Sequence, residues 1–181
     1  MIVLITGGAK NGKSGYAQNL AVKLAAGATH YYLATMIPSD NEDQARIRRH
    51  VADRAGLGFE TLECGRNLLE STANADPEGT FLLDSTTALL MNELFPDPTG
   101  GNMDKDAPRR CREAIVALAA RVKHLVIVSD YIYADPIRYD PVTEFYRAGL
   151  AGIDRAVAQI ADTVLEFTVG IPIVHKGVLP L

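Results

Sequence analysis

The chain has 181 residues, of which 48% are hydrophobic and 22% are charged, and its net charge is −4. This length suits one domain spanning residues 1–181. The acidic balance argues against a general nucleic-acid-binding protein, and no apolar run approaches the length of a membrane span. A strand begins directly after Met1, so we expect no signal peptide. Cys64 and Cys111 share no short motif, which favours free thiols in a reducing cytoplasm.

Short apolar runs alternate with helical patterns along the chain. In chain order, strands are predicted at 2–5, 30–35, 59–62, 80–84, 124–129 and 163–169, and a short terminal strand or tail at 171–178. Helices are predicted at about 16–24, from a capping box at Ser39 and Glu42 to about 55, and at 68–75, 86–94, 107–123 and 141–161. Residues 95–106 and 130–140 are predicted loops. This alternation predicts an α/β fold, a mostly parallel β-sheet with helices on both faces.

A phosphate-binding loop is predicted between the first strand and the first helix. Its eight residues fit G-x-x-x-x-G-K-[ST] and are Gly7, Gly8, Ala9, Lys10, Asn11, Gly12, Lys13 and Ser14. The backbone N–H groups of such a loop and the following helix bind phosphate, Lys13 reaches the β- and γ-phosphates, and Ser14 holds Mg²⁺. The strand before the motif and the helix after it favour this reading over a chance Gly-rich turn. The fold is therefore expected to be a P-loop NTPase-like (RecA-like) three-layer sandwich.

Polar residues follow several predicted strands, and ligands of such folds collect at the carboxyl ends of the strands. Asp84 ends an apolar strand, where an acid of a phosphate-loop enzyme binds Mg²⁺. It could instead cap the following helix. Glu63 could bind metal or a ribose, or be an exposed loop acid. Tyr131, Tyr133 and Tyr139, with Arg138, could stack on a planar ligand or fold onto the domain's own surface.

A basic stripe is predicted on the second helix. Arg46, His50 and Arg54 are spaced four residues apart, so they line one helix face. A neutral imidazole is a nucleophile or base, and arginines suit phosphates. The stripe could instead be an exposed, solvated basic face.

Several segments together resemble the adenosylcobinamide kinase / adenosylcobinamide-phosphate guanylyltransferase family (the CobU type) of cobalamin biosynthesis. The pattern R-I-x-x-H-x-x-x-R, the later Thr61-x-Glu63 and the closing G-I-P are the most family-specific. The segments are ITGGAKNGKS (5–14), YLAT (32–35), ARIRRHVADR (45–54), ETLEC (60–64), LLDSTTALLMNELF (82–95), VIVSD (126–130), FYRAGLAGIDRAVAQIAD (145–162) and VGIPIVHKG (169–177).

The resemblance implies a bifunctional enzyme. With ATP or GTP it would phosphorylate the aminopropanol hydroxyl of adenosylcobinamide, and a histidine, here His50, would then carry GMP from GTP to adenosylcobinamide phosphate. Arg46 and Arg54 would steady the triphosphate, and the family implies a trimer, hence a homo-oligomer. The expected catalytic residues are His50 and Lys13, and the expected Mg²⁺ ligands are Ser14 and Asp84. The expected nucleotide-binding residues are Gly7, Gly8, Ala9, Lys10, Asn11, Gly12, Lys13, Ser14, Thr35, Arg46, Arg54, Glu63 and Asp84.

The sequence departs from the family pattern after the strand ending at Ser129. The usual Asn-Glu-Val-Gly run is absent from residues 130–141, and Asp154-Arg155 replaces an Asn-Gln pair. A changed acceptor or the loss of one activity is therefore an open alternative. So are a kinase of another small molecule, in which His50 is only a phosphate contact, and a nucleotide-binding regulatory protein with residues 130–140 as its partner surface.

Overall fold

A computed structural model describes residues 1–97 and 102–180, with the side chain of Arg46 left out. The strands are β1 (Ile2–Gly7), β2 (His30–Ala34), β3 (Glu60–Glu63), β4 (Thr80–Asp84), β5 (His124–Asp130), β6 (Thr163–Thr168) and β7 (Ile171–Lys176). The helices are α1 (Lys13–Ala25), α2 (Asn41–Asp53), α3 (Leu68–Ser71), α4 (Thr86–Leu94), α5 (Ala107–Arg121) and α6 (Pro141–Ile160), with a 3₁₀ turn at Ile132–Ala134.

The strands form one sheet in the order β3-β2-β4-β5-β1-β6-β7. All neighbouring pairs are parallel except β6 and β7, which are antiparallel. The predicted mostly parallel sheet is confirmed. Because the carboxyl ends of parallel strands meet at one edge, Gly7 lies in register with Asp130, and Ala34 with both Asp84 and Glu63.

Two apolar cores cover the two faces of the sheet, as strand alternation requires. Val3 and Ile5 of β1 point to one face, where they pack with Leu20 of α1. Leu4 points to the other face and belongs to the core that contains residues of α3, α4, α5 and α6, such as Leu150. Helices therefore lie on both faces, which confirms the predicted three-layer arrangement.

The start of α2 differs from the prediction. Asp40, rather than Ser39, is the N-cap, and its carboxylate accepts a hydrogen bond from the Asp43 N–H. Ser39 instead donates its backbone N–H and its hydroxyl to the Asp43 carboxylate. The predicted capping box is therefore wrong by one residue, because a carboxylate one position further on competes successfully for the same role.

Smaller differences concern the ends of elements. The third helix is a single turn ending at Ser71 rather than reaching residue 75. Of the two alternatives for the end of the chain, a strand or a tail, residues 171–176 form the strand, β7. Asp130 is the last residue of β5, and the loop after it contains the 3₁₀ turn. Residues 98–101 of the loop predicted at 95–106 lie outside the described residues.

Candidate nucleotide-binding and histidine site

The segment between β1 and α1 closes into a tight loop. Asn11 fixes it, because its Nδ2 donates to the carbonyl of Phe167 on neighbouring β6 at 2.6 Å and its Oδ1 accepts from the Lys13 N–H at 3.3 Å. Gly7 has a φ of +151°, and a Cβ there would lie 2.6 Å from both Asn11 Nδ2 and the Phe167 oxygen. A side chain at position 7 would therefore push the loop away from β6. Ala9 and Lys10 are exposed.

Lys13 begins α1 and is buried, with only 4% of its surface exposed. Its Nζ donates to the carbonyl of Gly8 at 2.7 Å and to Asp130 Oδ1 at 2.7 Å. The ammonium thus curls back over the loop, in the position expected of a group that contacts β- and γ-phosphates. Sequence reasoning did not assign Asp130 to the site, although it ends a buried strand just as Asp84 does.

Asp84 lies across the same edge of the sheet. Burial raises the pKa of its carboxyl, while hydrogen bonding from Tyr32 and Ser14 and the charge of His50 oppose that rise. The Tyr32 hydroxyl donates to Asp84 Oδ2 at 2.9 Å. The structure therefore brings Ser14 of the loop next to Asp84 and places His50 within electrostatic reach of the same carboxylate.

The pair of Ser14 and Asp84 fits the requirements of Mg²⁺. Within the described residues there is no group of three or more His, Cys, Asp or Glu side chains arranged to hold a metal. Mg²⁺ needs no such cage, since it commonly uses one or two protein oxygens together with substrate phosphates and water. Ser14 offers a hydroxyl at the start of α1 and Asp84 a carboxylate at the end of β4. Together they supply the two protein oxygens of such a Mg²⁺ site.

The basic stripe of α2 faces the site through its last turn. Arg54 directly follows α2, its guanidinium carbon lies 4.2 Å from the centroid of the Tyr32 ring, and its Nη2 donates to Thr61 Oγ1 at 3.4 Å. His50 is half-buried one turn earlier. The side chain of Arg46 lies outside the described residues. Arg54 is thus held over the tyrosine whose hydroxyl binds Asp84.

The two remaining predicted residues lie at the same edge in different environments. Thr35 is fully buried, and its hydroxyl accepts from the Ser85 N–H at 2.7 Å and donates to the Ser85 carbonyl at 3.0 Å. It braces the chain directly after Asp84. Glu63 is exposed at the end of β3. Nucleotide contact by either residue stays a prediction.

A second polar group, also missed from the sequence, lies behind the phosphate loop. Asp154 of α6 is 5% exposed and accepts hydrogen bonds from Ser129 Oγ at 2.7 Å and Tyr133 Oη at 2.9 Å. Burial raises the pKa of Asp154 to about 6. Tyr133 belongs to the 130–141 segment, and Asp154 to the Asp154-Arg155 pair, where the sequence departs from the pattern of the family that it resembles.

A phosphate loop with a buried lysine, followed at the neighbouring strand ends by carboxylates, defines a phosphate-loop nucleotide-binding α/β protein. The chain belongs to the cobinamide kinase / cobinamide phosphate guanyltransferase family, whose model matches residues 3–174. The resemblance inferred from the motifs is confirmed.

Curated relatives carry names that agree with this family. The bifunctional adenosylcobalamin biosynthesis protein CobU of Salmonella typhimurium is 28% identical over 97% of this chain and 100% of its own length. The corresponding protein CobP of Pseudomonas aeruginosa is 28% identical over 96% of both chains. CobU of Escherichia coli is 35% identical over 59% of this chain and 56% of its own length.

Two solved structures resemble the chain at low sequence identity. A protein from Pyrococcus horikoshii OT3 is similar with a TM-score of 0.50 and 10% identity, over 98% of this chain and 87% of the other. The flagellar accessory protein FlaH of Methanocaldococcus jannaschii has a TM-score of 0.48 and 14% identity, over 97% and 78% of the two chains. The first likeness concerns the fold alone.

Proposed function

We propose that this chain phosphorylates the aminopropanol hydroxyl of adenosylcobinamide and then transfers GMP from GTP to adenosylcobinamide phosphate. The observation that carries the proposal is the convergence of Lys13, Asp84 and His50 at one edge of the sheet. Such an arrangement can act on both the γ-phosphate and the α-phosphate of one nucleoside triphosphate. Membership of the family supports the same activities.

In the kinase step, ATP or GTP occupies the phosphate loop at residues 7–14. Lys13 moves from Asp130 to the β- and γ-phosphates, and the loop N–H groups hold the β-phosphate. Ser14 and Asp84 would hold Mg²⁺, which neutralises charge on the phosphates. The acceptor oxygen then forms a bond to the γ-phosphorus as the bond to the bridging oxygen breaks.

In the guanylyl step, an imidazole nitrogen of His50 attacks the α-phosphate of GTP and pyrophosphate leaves. A phosphate oxygen of adenosylcobinamide phosphate then attacks the histidine-bound phosphorus, which gives adenosylcobinamide-GDP and frees the imidazole. A covalent intermediate divides one difficult transfer into two easier ones. Arg46 and Arg54 would steady the triphosphate, and the stacking of Arg54 on Tyr32 already holds one cation at the site.

The histidine role is tested by incubating the protein with Mg²⁺ and GTP labelled at the α-phosphate. We expect label on the protein in an acid-labile bond, as a phosphoramidate requires, and we expect it to disappear in His50→Ala. His175→Ala is the matched control, because His175 is exposed and bonded to Glu166 on β6. An unlabelled wild-type protein, or label that survives His50→Ala, would contradict the role.

The loop lysine is tested by turnover. Lys13→Ala removes the cation that contacts the transferred phosphate, so we expect loss of phosphoryl transfer, while Lys123→Ala, at an exposed pair with Glu78, leaves it intact. Retained kinase activity in Lys13→Ala would exclude the loop from catalysis. Phosphoryl transfer without protein labelling would favour the second candidate, a kinase of another small molecule, which the unusual residues 130–141 suggest.

The compartment of the enzyme and its oligomeric state are also proposals. Both described cysteines are free and buried, which suits a reducing compartment, and we infer a cytoplasmic enzyme. Among the described residues, every helix is too short or too polar to cross a bilayer. We further propose a homo-oligomer, in line with the trimer that the resemblance implies.

A further inference from the structure

A cavity of about 550 Å³ opens beside the phosphate loop. One wall is formed by Gly8 and Ala9, and the opposite wall by the segment after β5 and the beginning of α6. This volume is typical of small-ligand sites, which hold drug-sized molecules. A corrinoid with all its substituents is larger, so the cavity suits one arm of such a substrate rather than the whole ring system.

The cavity lies at the γ end of the nucleotide site. Lys13 Nζ marks that end, because the lysine of a phosphate loop contacts the β- and γ-phosphates. Asp130, which lines the cavity, has a carboxylate oxygen 2.7 Å from this nitrogen. When phosphates take over the lysine, the Asp130 carboxylate loses its partner and remains beside the transferred group.

Asp135 also lines the cavity but is already engaged. Its carboxylate accepts hydrogen bonds from the Tyr139 hydroxyl at 2.6 Å and from the Ile137 N–H at 2.9 Å. The hydrogen bond from Tyr139 holds the pKa of Asp135 below its usual value, which makes it a poorer base. Asp130 is the better placed of these two carboxylates to receive a proton.

The far wall is organised by Arg147, of which only 7% is exposed. Its guanidinium donates to the carbonyls of Tyr133, Asp135 and Ile137 and lies 5.0 Å from the centroid of the Tyr139 ring. Its buried Nε has no hydrogen-bond partner among the described residues. The wall is therefore held in place by its hydrogen bonds to Arg147.

We propose that this cavity binds the alcohol arm of the acceptor, with Asp130 as the general base of phosphoryl transfer; the inference rests on the proposed kinase function. The hydroxyl proton passes to an Asp130 oxygen while the hydroxyl oxygen bonds to the γ-phosphorus. The bond between that phosphorus and the β,γ-bridging oxygen breaks, the nucleoside diphosphate leaves, and the proton is then released to water.

The test is Asp130→Asn in the full chain, assayed with adenosylcobinamide and Mg²⁺-ATP. General-base catalysis contributes about 10²- to 10⁴-fold, so we expect kcat for phosphorylation to fall at least about 100-fold. The Kd for the nucleotide should stay the same or fall, because the amide no longer holds Lys13 as an ion pair. GMP labelling of His50 should stay within about threefold of wild type, since attack on the α-phosphate does not use Asp130.

Asp106→Asn is the matched control, because it removes an exposed carboxylate paired with Arg109 at the start of α5. A kcat within tenfold of wild type in Asp130→Asn would overturn the proposal, as would equal loss of phosphorylation and labelling. If the wild-type protein phosphorylates no corrinoid, the proposed function fails. Slow nucleotide hydrolysis, with water in the place of the alcohol, then still tests Asp130: a wild-type rate in Asp130→Asn contradicts its role as base, and a 100-fold loss supports it.

Discussion

At the residue scale, Tyr32 links Asp84 at the end of β4 to Arg54 at the end of α2. Its buried ring lies under the Arg54 guanidinium, and its hydroxyl donates to Asp84 at 2.9 Å. Burial, followed by the charge and hydrogen bond of Asp84, raises the pKa of the Tyr32 hydroxyl. The tyrosine therefore stays protonated and keeps donating, which orients the carboxylate expected to face Mg²⁺.

We predict that Tyr32→Phe lowers kinase kcat several-fold and destabilises the fold by about 1–2 kcal/mol, since a hydrogen bond to a buried charged group is lost. Steady-state kinetics and urea unfolding measure the two effects. Tyr31→Phe is the control: its hydroxyl accepts from the Asp76 N–H at 3.1 Å, on the opposite face of the sheet. Tyr31→Phe should lose stability while keeping kcat, and equal kinetic effects in the two variants would contradict the orienting role.

At the element scale, α6 contacts β5 through a buried carboxylate. Burial raises the pKa of Asp154 from 3.8 to about 6, against the hydrogen bonds from Ser129 and Tyr133. Between these two values the folded chain keeps a proton that the unfolded chain releases. The folded state then binds more protons, so the free energy of unfolding falls as the pH rises from about 4 to about 6.

We predict that Asp154→Asn removes this pH dependence. Relative to wild type, the variant should gain up to about 3 kcal/mol of stability between pH 4 and pH 7, because each pKa unit corresponds to about 1.4 kcal/mol. Urea unfolding at a series of pH values measures the difference. Asp162→Asn, which alters an exposed carboxylate bonded to the Ile2 N–H, should show no such gain. Parallel curves for wild type and Asp154→Asn would refute the assignment.

The elements were predictable where one local signal dominated. The interiors of two runs, residues 81–83 and 125–128, are apolar throughout, because strands buried on both faces need no alternation. Asp140 with Pro141 marks the start of α6. At α2, Ser39 and Asp40 are both good caps, so pattern alone could not choose between them. The third helix ends after one turn at its C-cap, Thr72, whose hydroxyl donates to the carbonyls of Leu68 and Leu69.

The candidate site was predictable where a motif carries its own spacing, as residues 7–14 and the stripe at 46, 50 and 54 do. Asp130 and Tyr32 acquire their roles only through contacts across the sheet. Asp130 contacts Lys13, which is 117 positions away in the sequence, and Tyr32 contacts Asp84, which is 52 positions away. Register between distant strands decides such contacts, and a linear pattern does not contain it. Tyr133 and Asp154, which both lie where the sequence departs from the pattern of the resembled family, are joined by a hydrogen bond of 2.9 Å that the sequence alone does not reveal.

At the scale of the whole molecule, β7 leaves an apolar edge. It pairs with β6 on one side and ends the order of the described strands. Ile171 and Ile173, two residues apart on one face, are 62% and 44% exposed, and Val169 in the preceding turn is 86% exposed. An exposed apolar edge strand invites pairing with another chain. We therefore expect β7 to contribute to the proposed homo-oligomer.

We predict that Ile171→Asp combined with Ile173→Asp shifts the protein toward single chains, because charges on both subunits would then face an apolar contact. Light scattering after size-exclusion chromatography measures the mass, and thermal unfolding checks the fold. Leu69→Asp on α3, an exposed apolar residue outside β7 (39% exposed), is the control that should keep the wild-type mass. A monomeric wild-type protein would refute the oligomer, whereas an unchanged oligomer in the double variant would exclude β7 as its interface.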